Sequence, residues 1–395
     1  MRLLDKYIVY SSVLALFSES FMYHFVIDWK LFYVILTSNI LILGYKKKLV
    51  VNNNMIVLLL FLFVHGLLMF FILKNPITSL ITQLIGISLT SFYYYNLLKN
   101  YKTELLLDVY LKLAFGVAFL AIPMFYLNIN TFTDDRLNGI LLEPAHYAVI
   151  MLPAVYLSFR KKKYFKLTII LITILLAKSS IGFLGLLLIL FIPLIKLKFF
   201  LKYSLLALLL LGSTVYYISS QWNVKTNESD GNLIVRRIKQ TNESLNAIQT
   251  GTFQKYTNLS SYAFLSNVFI SKQIFLNYPL GTGLGSYKHE YEKFYEDLSP
   301  PKYLIKQNLS KINQKDANSL FLRIMADLGV FGLLIIIYFI YISIKLFKND
   351  KKFLRQSTFF YLAIKLFREG HYFPPEFYFF LLIFLKDFNE DITHS

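Results

Sequence analysis

Cysteine is absent from the 395 residues, which excludes disulfides, thiolate metal sites and cysteine nucleophiles. Charge is scarce too, at 16% of residues against 56% hydrophobic, where a soluble domain carries about a quarter. A chain this apolar is not built as two or three water-exposed domains. Acids are scarcer than bases, 23 against 41, leaving a formal net charge of +18. Such an excess ordinarily points to nucleic acid or acidic partners, so the placement of the positive residues decides its meaning. Metal-ligand spacing is missing as well. The six histidines are scattered (His24, His65, His146, His289, His371, His394), and no carboxylate cluster reads as a Mg²⁺ cage, so no metal or other cofactor is expected.

What the sequence has instead is apolar bulk. It carries 38 Phe and 29 Tyr with a mean hydropathy of +0.52, which excludes a disordered chain. Apolar runs start almost at once and recur between charged or Pro/Asn-containing breaks, the pattern of an all-α, polytopic integral membrane protein. Taking roughly twenty residues per crossing gives about twelve transmembrane helices. They run from Tyr7 to Tyr23, Leu31 to Gly44, Met55 to Leu73, Ile77 to Leu98, Leu105 to Leu127, Pro144 to Phe159, Leu167 to Ala177, Ile181 to Ile195, Phe199 to Ser219, Ser319 to Ile344, Thr358 to Phe367 and Glu376 to Leu385. The seventh, eighth and eleventh are the short ones. Glu19 and the lack of a small-residue cleavage site argue against a signal peptide in the first.

Lys and Arg gather in alternate short loops: Arg2/Lys6, Lys46 to Lys48, Lys99/Lys102, Arg160 to Lys163 with Lys166, Lys196/Lys198/Lys202, Lys345 to Arg355, and Lys386. The positive-inside rule then places both termini in the cytoplasm. Most of the positive charge orients the chain in a membrane and implies no nucleic-acid partner. No internal repeat is found. The chain divides into nine transmembrane helices over residues 1–219, a long extracytoplasmic loop over 220–318 and three helices over 319–395. In the loop, Ile234, Ile238, Thr241, Leu245 and Ile248 recur at helical spacing up to Gly251, with Arg236, Arg237 and Lys239 off that stripe, and a second helix covers Leu259 to Leu276. The loop reads as a small helical lid. Sequons at Asn227, Asn242, Asn258 and Asn308 fit an outside location but arise by chance in so Asn-rich a chain.

Four constellations carry polar chemistry. In D134-D-R-L-N-G-I-L-L-E-P-A-H146, Pro144 suits the first position of the sixth helix, which puts Glu143 at its cap and His146 in its first turn. Arg136 can pair with Glu143 or present a fork of donors to an anion. Arg236/Arg237 on the loop helix read as a solvated face, a lipid head-group contact or an anion site. R368-E-G-H-Y-F-P-P375 joins Arg, Glu and His between the last two spans, where a tight turn needs the Gly and Pro but not His371. Arg323 and Asp327, one turn apart within the tenth span, read first as a mutual pair. G281-T-G-L-G285 has no βαβ context and no phosphate-binding Lys, so it is a turn rather than a nucleotide loop.

Taken in order, these segments resemble the O-antigen and capsular polysaccharide polymerases (the Wzy group), related to the O-antigen ligases. R136-L-N-G-I-L-L-E-P-A-H is similar to the family's Arg-x-x-Gly followed by Glu-Pro. The long outer loop follows, then N277-Y-P-L-G-T-G-L-G-S286, like an Asn-Pro-Leu-Gly-x-Gly turn, and N318-S-L-F-L-R-I-M-A-D-L-G-V-F-G332, like an Asn-x-x-Leu…Glu-x-Gly-x-x-Gly helix. R-E-G-H-Y is similar to a late motif. The likeness spans roughly Arg136 to Phe380. Three departures stand out: Ala317 occupies the place where relatives carry His before the Asn, Asp327 stands where Glu is common, and Arg236/Arg237 lie further upstream of the turn than the matching Arg does.

The resemblance implies a GT-C-like polymerase or ligase architecture in the bacterial plasma membrane. The implied reaction extends O-antigen or capsular polysaccharide by transferring a glycan from a polyprenyl diphosphate to a hydroxyl of the next lipid-linked repeat unit. Negative charge on the departing diphosphate calls for arginines near the head-group plane, for which Arg136, Arg236, Arg237 and Arg368 stand. Deprotonating the acceptor calls for a base, for which Glu143 leads and His371 is second. His146, Asn318 and Arg323 support them. The implied partners are lipid-linked oligosaccharides, membrane lipids, a chain-length regulator and a flippase. A ligase acting on a lipid core is the nearest alternative. A flippase or other transporter is the alternative from another class, but transporters usually show related halves and mid-membrane sites, which are not seen here. A non-catalytic scaffold is the third.

Overall fold

The computed structural model describes residues 3–25, 27–129, 135–192 and 244–386. Within them the chain is helical, as its apolar runs require, apart from one short hairpin. Helix α1 (Leu3–Leu14) tightens into a 3-10 turn, Ala15–Phe17, and stops where the Ser18 hydroxyl donates to the Ala15 carbonyl at 2.7 Å. The first expected span is therefore cut short, and its last residues enter an antiparallel pair, β1 (Met22–Phe25) with β2 (Ile27–Lys30). Aromatic and β-branched residues suit such strands.

There follow α2 (Leu31–Tyr45), α3 (Asn53–Leu73), α4 (Ile77–Asn100), α5 (Thr103–Tyr126), α6 (Pro144–Arg160), α7 (Tyr164–Leu176) and α8 (Ser180–Phe191). Their starts are set by local chemistry. Asn52 accepts from the Asn54 amide to cap α3, Ser179 accepts from Gly182 to cap α8, and Pro144 opens α6, where a missing N–H costs nothing. The ninth expected span and the end of the eighth lie outside the described residues. Residues 244–250 are helical and end where Gly251 donates to the Ala247 carbonyl at 2.9 Å, at the stop read from the sequence. The upstream part of that helix lies outside the described residues.

Next come α9 (Leu259–Asn277), α10 (Tyr287–Phe294) and α11 (Lys302–Lys306). Asn258 is the N-cap of α9, accepting from the Ser261 amide, which gives that sequon a structural use. The expected tenth span is two helices, α12 (Leu320–Leu328) and α13 (Val330–Phe347), broken at Gly329 with φ 58° and ψ −131°. A Cβ on Gly329 would lie 2.1 Å from the Pro279 carbonyl oxygen, so only glycine lets the 277–285 turn press into the break. The last elements among the described residues are α14 (Phe353–Phe367) and α15 (Phe377–Leu385).

Among the described residues three helices, α3, α5 and α13, are long and apolar enough to cross a membrane. α7 has 13 residues, so it is about 20 Å long, short of a hydrocarbon core of about 30 Å. The surface is inverted relative to a soluble protein: Leu60, Ile72, Leu334 and Ile337 are all more than half exposed on α3 and α13, an apolar face that lipid would cover. At the centre, α6 and α14 are buried along nearly their whole length and pack on each other, with α5, α7 and α8 also against α6. A second core, including Tyr262, Phe269, Tyr287, Tyr291 and Leu322, holds the helical segment over 244–326 together.

Charged loops sort to the ends of the bundle. At one end Asp5 meets Lys46 and the Tyr101 hydroxyl, each at 2.8 Å, Lys161 meets Asp108 at 2.7 Å, and Lys386 donates to the Leu98 carbonyl. At the other end α6 begins, α14 finishes and α15 starts.

Candidate active site

Glu143 has extended backbone (φ −131°, ψ 150°) and hands over to the α6 helix at Pro144. Its side chain does not bond back to the helix but stays 47% exposed, with Oε2 3.9 Å from Nε2 of His146. The imidazole is held at both nitrogens. Nδ1 lies 2.7 Å from Glu19 Oε1, and Nε2 lies 3.2 Å from Glu369 Oε1. With carboxylates at both, both nitrogens are placed to donate. The other oxygen of Glu369 takes the ammonium of Lys365, four residues earlier near the end of α14 and fully buried. Burial pushes the Glu369 carboxyl up, but His146 and Lys365 together outweigh it and hold the group at about 2. Beside them, the Tyr361 hydroxyl donates to Glu376 at 2.8 Å.

A second cluster is built on α12. Asp327 Oδ2 accepts from the Tyr372 hydroxyl at 2.8 Å and from the Gly285 amide at 2.9 Å. Arg323, one turn before it, is 3.7 Å away, donates to the Gly370 carbonyl at 2.9 Å, and lies over the Tyr372 ring at 4.5 Å. The amides of Thr282 and Gly283 go to the carbonyls of Ala326 and Asp327. The glycine-rich turn thus spends its donors on the end of α12, as a turn would and a phosphate loop would not.

The two clusters meet in one short segment. Glu369 faces His146, the Gly370 carbonyl takes Arg323, His371 Nε2 sits 3.5 Å from Asp316, and Tyr372 reaches Asp327. Glu369 has φ 61°, and a Cβ on Gly370 would fall 1.5 Å from the Asp316 carbonyl oxygen. The Glu-Gly pair is what lets the chain pass so close to the turn before α12.

Of the residues read from the sequence, Glu143, His146 and the 368–372 segment come together at this end of the bundle. Arg323 forms the expected pair with Asp327 and is only 4% exposed, so it clamps backbone and is not presented to a ligand. Asn318 is buried at φ 57°, accepting from Asn313 at 2.7 Å and donating its amide to Asp316; it shapes the turn into α12. Arg136 is half-buried, with Nε donating to the Ala177 carbonyl at 3.3 Å, while Leu137 donates to Leu176. Its segment is therefore fastened to the end of α7, and the residue facing Glu143 is His146. Arg368 is half-buried at the end of α14. His371 is 61% exposed; burial of its surroundings pushes the imidazole below its usual value, opposed by Asp316. Arg236 and Arg237 lie outside the described residues.

Glu19, Lys365, Asp316 and Glu376 were not singled out as site residues from the sequence, while Glu369 and Tyr372 were read only as parts of the R368-E-G-H-Y segment. A signal existed for the first two. Glu19 and Lys365 are charges within apolar runs, where an ionisable group needs a partner or a task. Chemically, the arrangement offers one half-exposed carboxylate, Glu143, backed by a buried charge network, which suits it to accept a proton from a bound hydroxyl. Among the described residues no group of three or more His, Asp or Glu is arranged to hold a metal ion. Comparison with known proteins shows that residues 165–337 match the family model described as O-antigen ligase. That stretch holds the glycine-rich turn and the Arg323/Asp327 helix, while Glu19, Glu143, His146 and Glu369 lie outside it. No curated protein matches the chain.

Proposed function

We propose that this chain, a member of the O-antigen ligase/Wzy-like family, polymerises lipid-linked oligosaccharide repeat units at the outer face of the bacterial plasma membrane. The donor is a glycan on polyprenyl diphosphate and the acceptor a hydroxyl of the next lipid-linked repeat. The acceptor oxygen forms a bond to the anomeric carbon as the bond from that carbon to the diphosphate breaks. The acceptor proton goes to the Glu143 carboxylate, and the diphosphate leaves with the bonding electrons. Its developing charge is met by arginines of the same face, with Arg136, Arg236, Arg237 and Arg368 as the candidates. The step uses no nucleotide or metal. On this reading the bundle crosses the membrane twelve times, some crossings being made by short helices. Both termini are cytoplasmic, and the helical segment before α12 covers the sugars. A flippase and a chain-length regulator are its pathway partners.

The observation that carries the proposal is the exposed Glu143 carboxylate 3.9 Å from a His146 that two further carboxylates hold in place. The family match names ligases, so attachment of a finished glycan to a lipid core is the second reading. Purified protein in vesicles, given lipid-linked repeats without nucleotide sugars, separates them. Longer lipid-linked chains indicate a polymerase, transfer to an added lipid core a ligase, and movement across the bilayer without new bonds a flippase. Glu143→Gln and Arg136→Ala are expected to leave the protein inserted and to slow glycan transfer by about 100-fold or more. Full-length polymer made by both variants in cells lacking the wild-type copy would refute the assignment.

A further inference from the structure

Glu19 stands in the turn after α1, far in sequence from every other residue of the site and outside the matched stretch. Its turn is fastened on both sides. The Ser18 hydroxyl and the Phe21 amide close it locally, and the Ser20 hydroxyl donates to the carbonyl of Ile140, in the turn that leads into Glu143. That second turn is itself rigid, because Asn138 is buried and donates through its side chain to the Leu141 carbonyl at 2.5 Å. The backbone carrying Glu19 is thereby registered against the backbone carrying Glu143.

We infer that Glu19 is a positioning residue for glycan transfer, fixing the His146 ring so that its Nε2 is shared between Glu369 and the reacting carboxylate of Glu143. This rests on the function proposed above. An imidazole anchored only at Nε2 can swing about its χ2 bond. Anchored at Nδ1 by Glu19 at 2.7 Å and at Nε2 by Glu369 at 3.2 Å, it has one orientation, and in that orientation Nε2 faces Glu143 at 3.9 Å. Accessibility separates the roles. The side chains of Glu19, His146 and Glu369 are 23%, 20% and 10% exposed and Glu143 is 47% exposed. Of these, Glu143 is the group open to a substrate hydroxyl, and Glu19 acts on it through His146. Lys365 already compensates the other oxygen of Glu369, so Glu19 supplies the counter-charge of the doubly donating ring as well as its orientation.

The test uses the full-length protein in vesicles with two readouts. The first is the rate at which diethyl pyrocarbonate modifies His146, resolved by mass spectrometry with His371 as internal reference. Glu19→Gln is expected to speed modification of His146 about tenfold, the factor corresponding to one lost charge-assisted hydrogen bond, and to leave His371 unchanged. The second is steady-state transfer. Glu19→Gln is expected to lower kcat by about 10- to 100-fold through misplacement of the reacting group, with KM for the acceptor held, and Glu19→Asp to restore part of it. Adding Glu19→Gln to His146→Gln is expected to cost nothing further. Unchanged reactivity of His146 overturns the clamp, and raised reactivity with unchanged kcat overturns the positioning role. A wild-type protein that transfers no glycan overturns the proposed function and this role with it, while the modification rate still reports whether the clamp exists.

Discussion

Replacing Glu369 by Gln removes the charge that His146 and Lys365 both face, and the structure sets the size of the effect in two ways. The Glu369 carboxyl is lowered from 4.5 to about 2, and at about 1.36 kcal/mol per pH unit this is worth about 3 kcal/mol. Independently, Lys365 is fully buried, and removing one partner of a buried pair costs about 3–5 kcal/mol because the other charge is stranded. The folded value lies below the unfolded one. The stabilisation is therefore fully present above about 4.5 and is lost as pH falls from there toward about 2. Urea titrations in detergent micelles, followed by circular dichroism, should show Glu369→Gln about 3 kcal/mol less stable at pH 7. The gap to wild type should close on acidification. Removing both partners, Lys365→Met with Glu369→Gln, should recover much of the loss. A single variant within about 0.5 kcal/mol of wild type, the usual range for an unimportant surface change, or a double variant at the sum of the two singles, would refute the account.

Asp327→Asn keeps the shape of the second cluster but leaves Arg323 buried without its counter-charge and turns a donor toward the Tyr372 hydroxyl or the Gly285 amide. The expected loss is about 3 kcal/mol, with faster proteolytic cleavage in the 277–286 turn than in wild type as the local readout. Gly370→Ala places a methyl group 1.5 Å from the Asp316 carbonyl oxygen, so the 368–372 segment must move. Helix content by circular dichroism should be kept while transfer activity falls by about 100-fold.

How far the fold could be read depended on whether local sequence or a distant contact set each boundary. Met55 to Leu73 and Leu105 to Leu127 were found as Asn53–Leu73 and Thr103–Tyr126, because a long apolar run with polar punctuation carries its own limits. The span expected from Ser319 to Ile344 was not one helix. Its break at Gly329 is made by the Pro279 carbonyl, some fifty residues earlier in the chain, and an apolar glycine-containing run gives no local sign of it. The early end of α1 and the hairpin after it were missed for a related reason. The span read from the sequence runs to Tyr23 and leaves 24–30 as a connection, and residues such as Met22 and Tyr23 serve a helix or a strand alike.

The site divides along the same line. Glu143 and His146 lie three residues apart across a proline at a helix start, and Lys365 and Glu369 lie four apart, so both pairs are local in sequence, although in each the carboxylate stands outside the helix, Glu143 extended before α6 and Glu369 at φ 61° after α14. That the two pairs meet, and that Glu19 joins them, follows from the packing of α6 against α14 and of the α1 turn against Ile140, which no local pattern encodes. Compensation of charge offers the missing rule. At the opposite end Asp5 is matched by Lys46 and Lys48, an arrangement that needs no further explanation than stability. Three carboxylates, Glu19, Glu143 and Glu369, lie on the His146 ring, and a fourth, Glu376, stands beside them with the Tyr361 hydroxyl on it, against two basic side chains, His146 and Lys365. Acids are in excess there. Of those on the ring, Glu143 is the most exposed and the least tightly bonded. A carboxylate that the fold does not need for its own neutrality, yet holds beside a fixed imidazole, is the group with a proton to accept from something else.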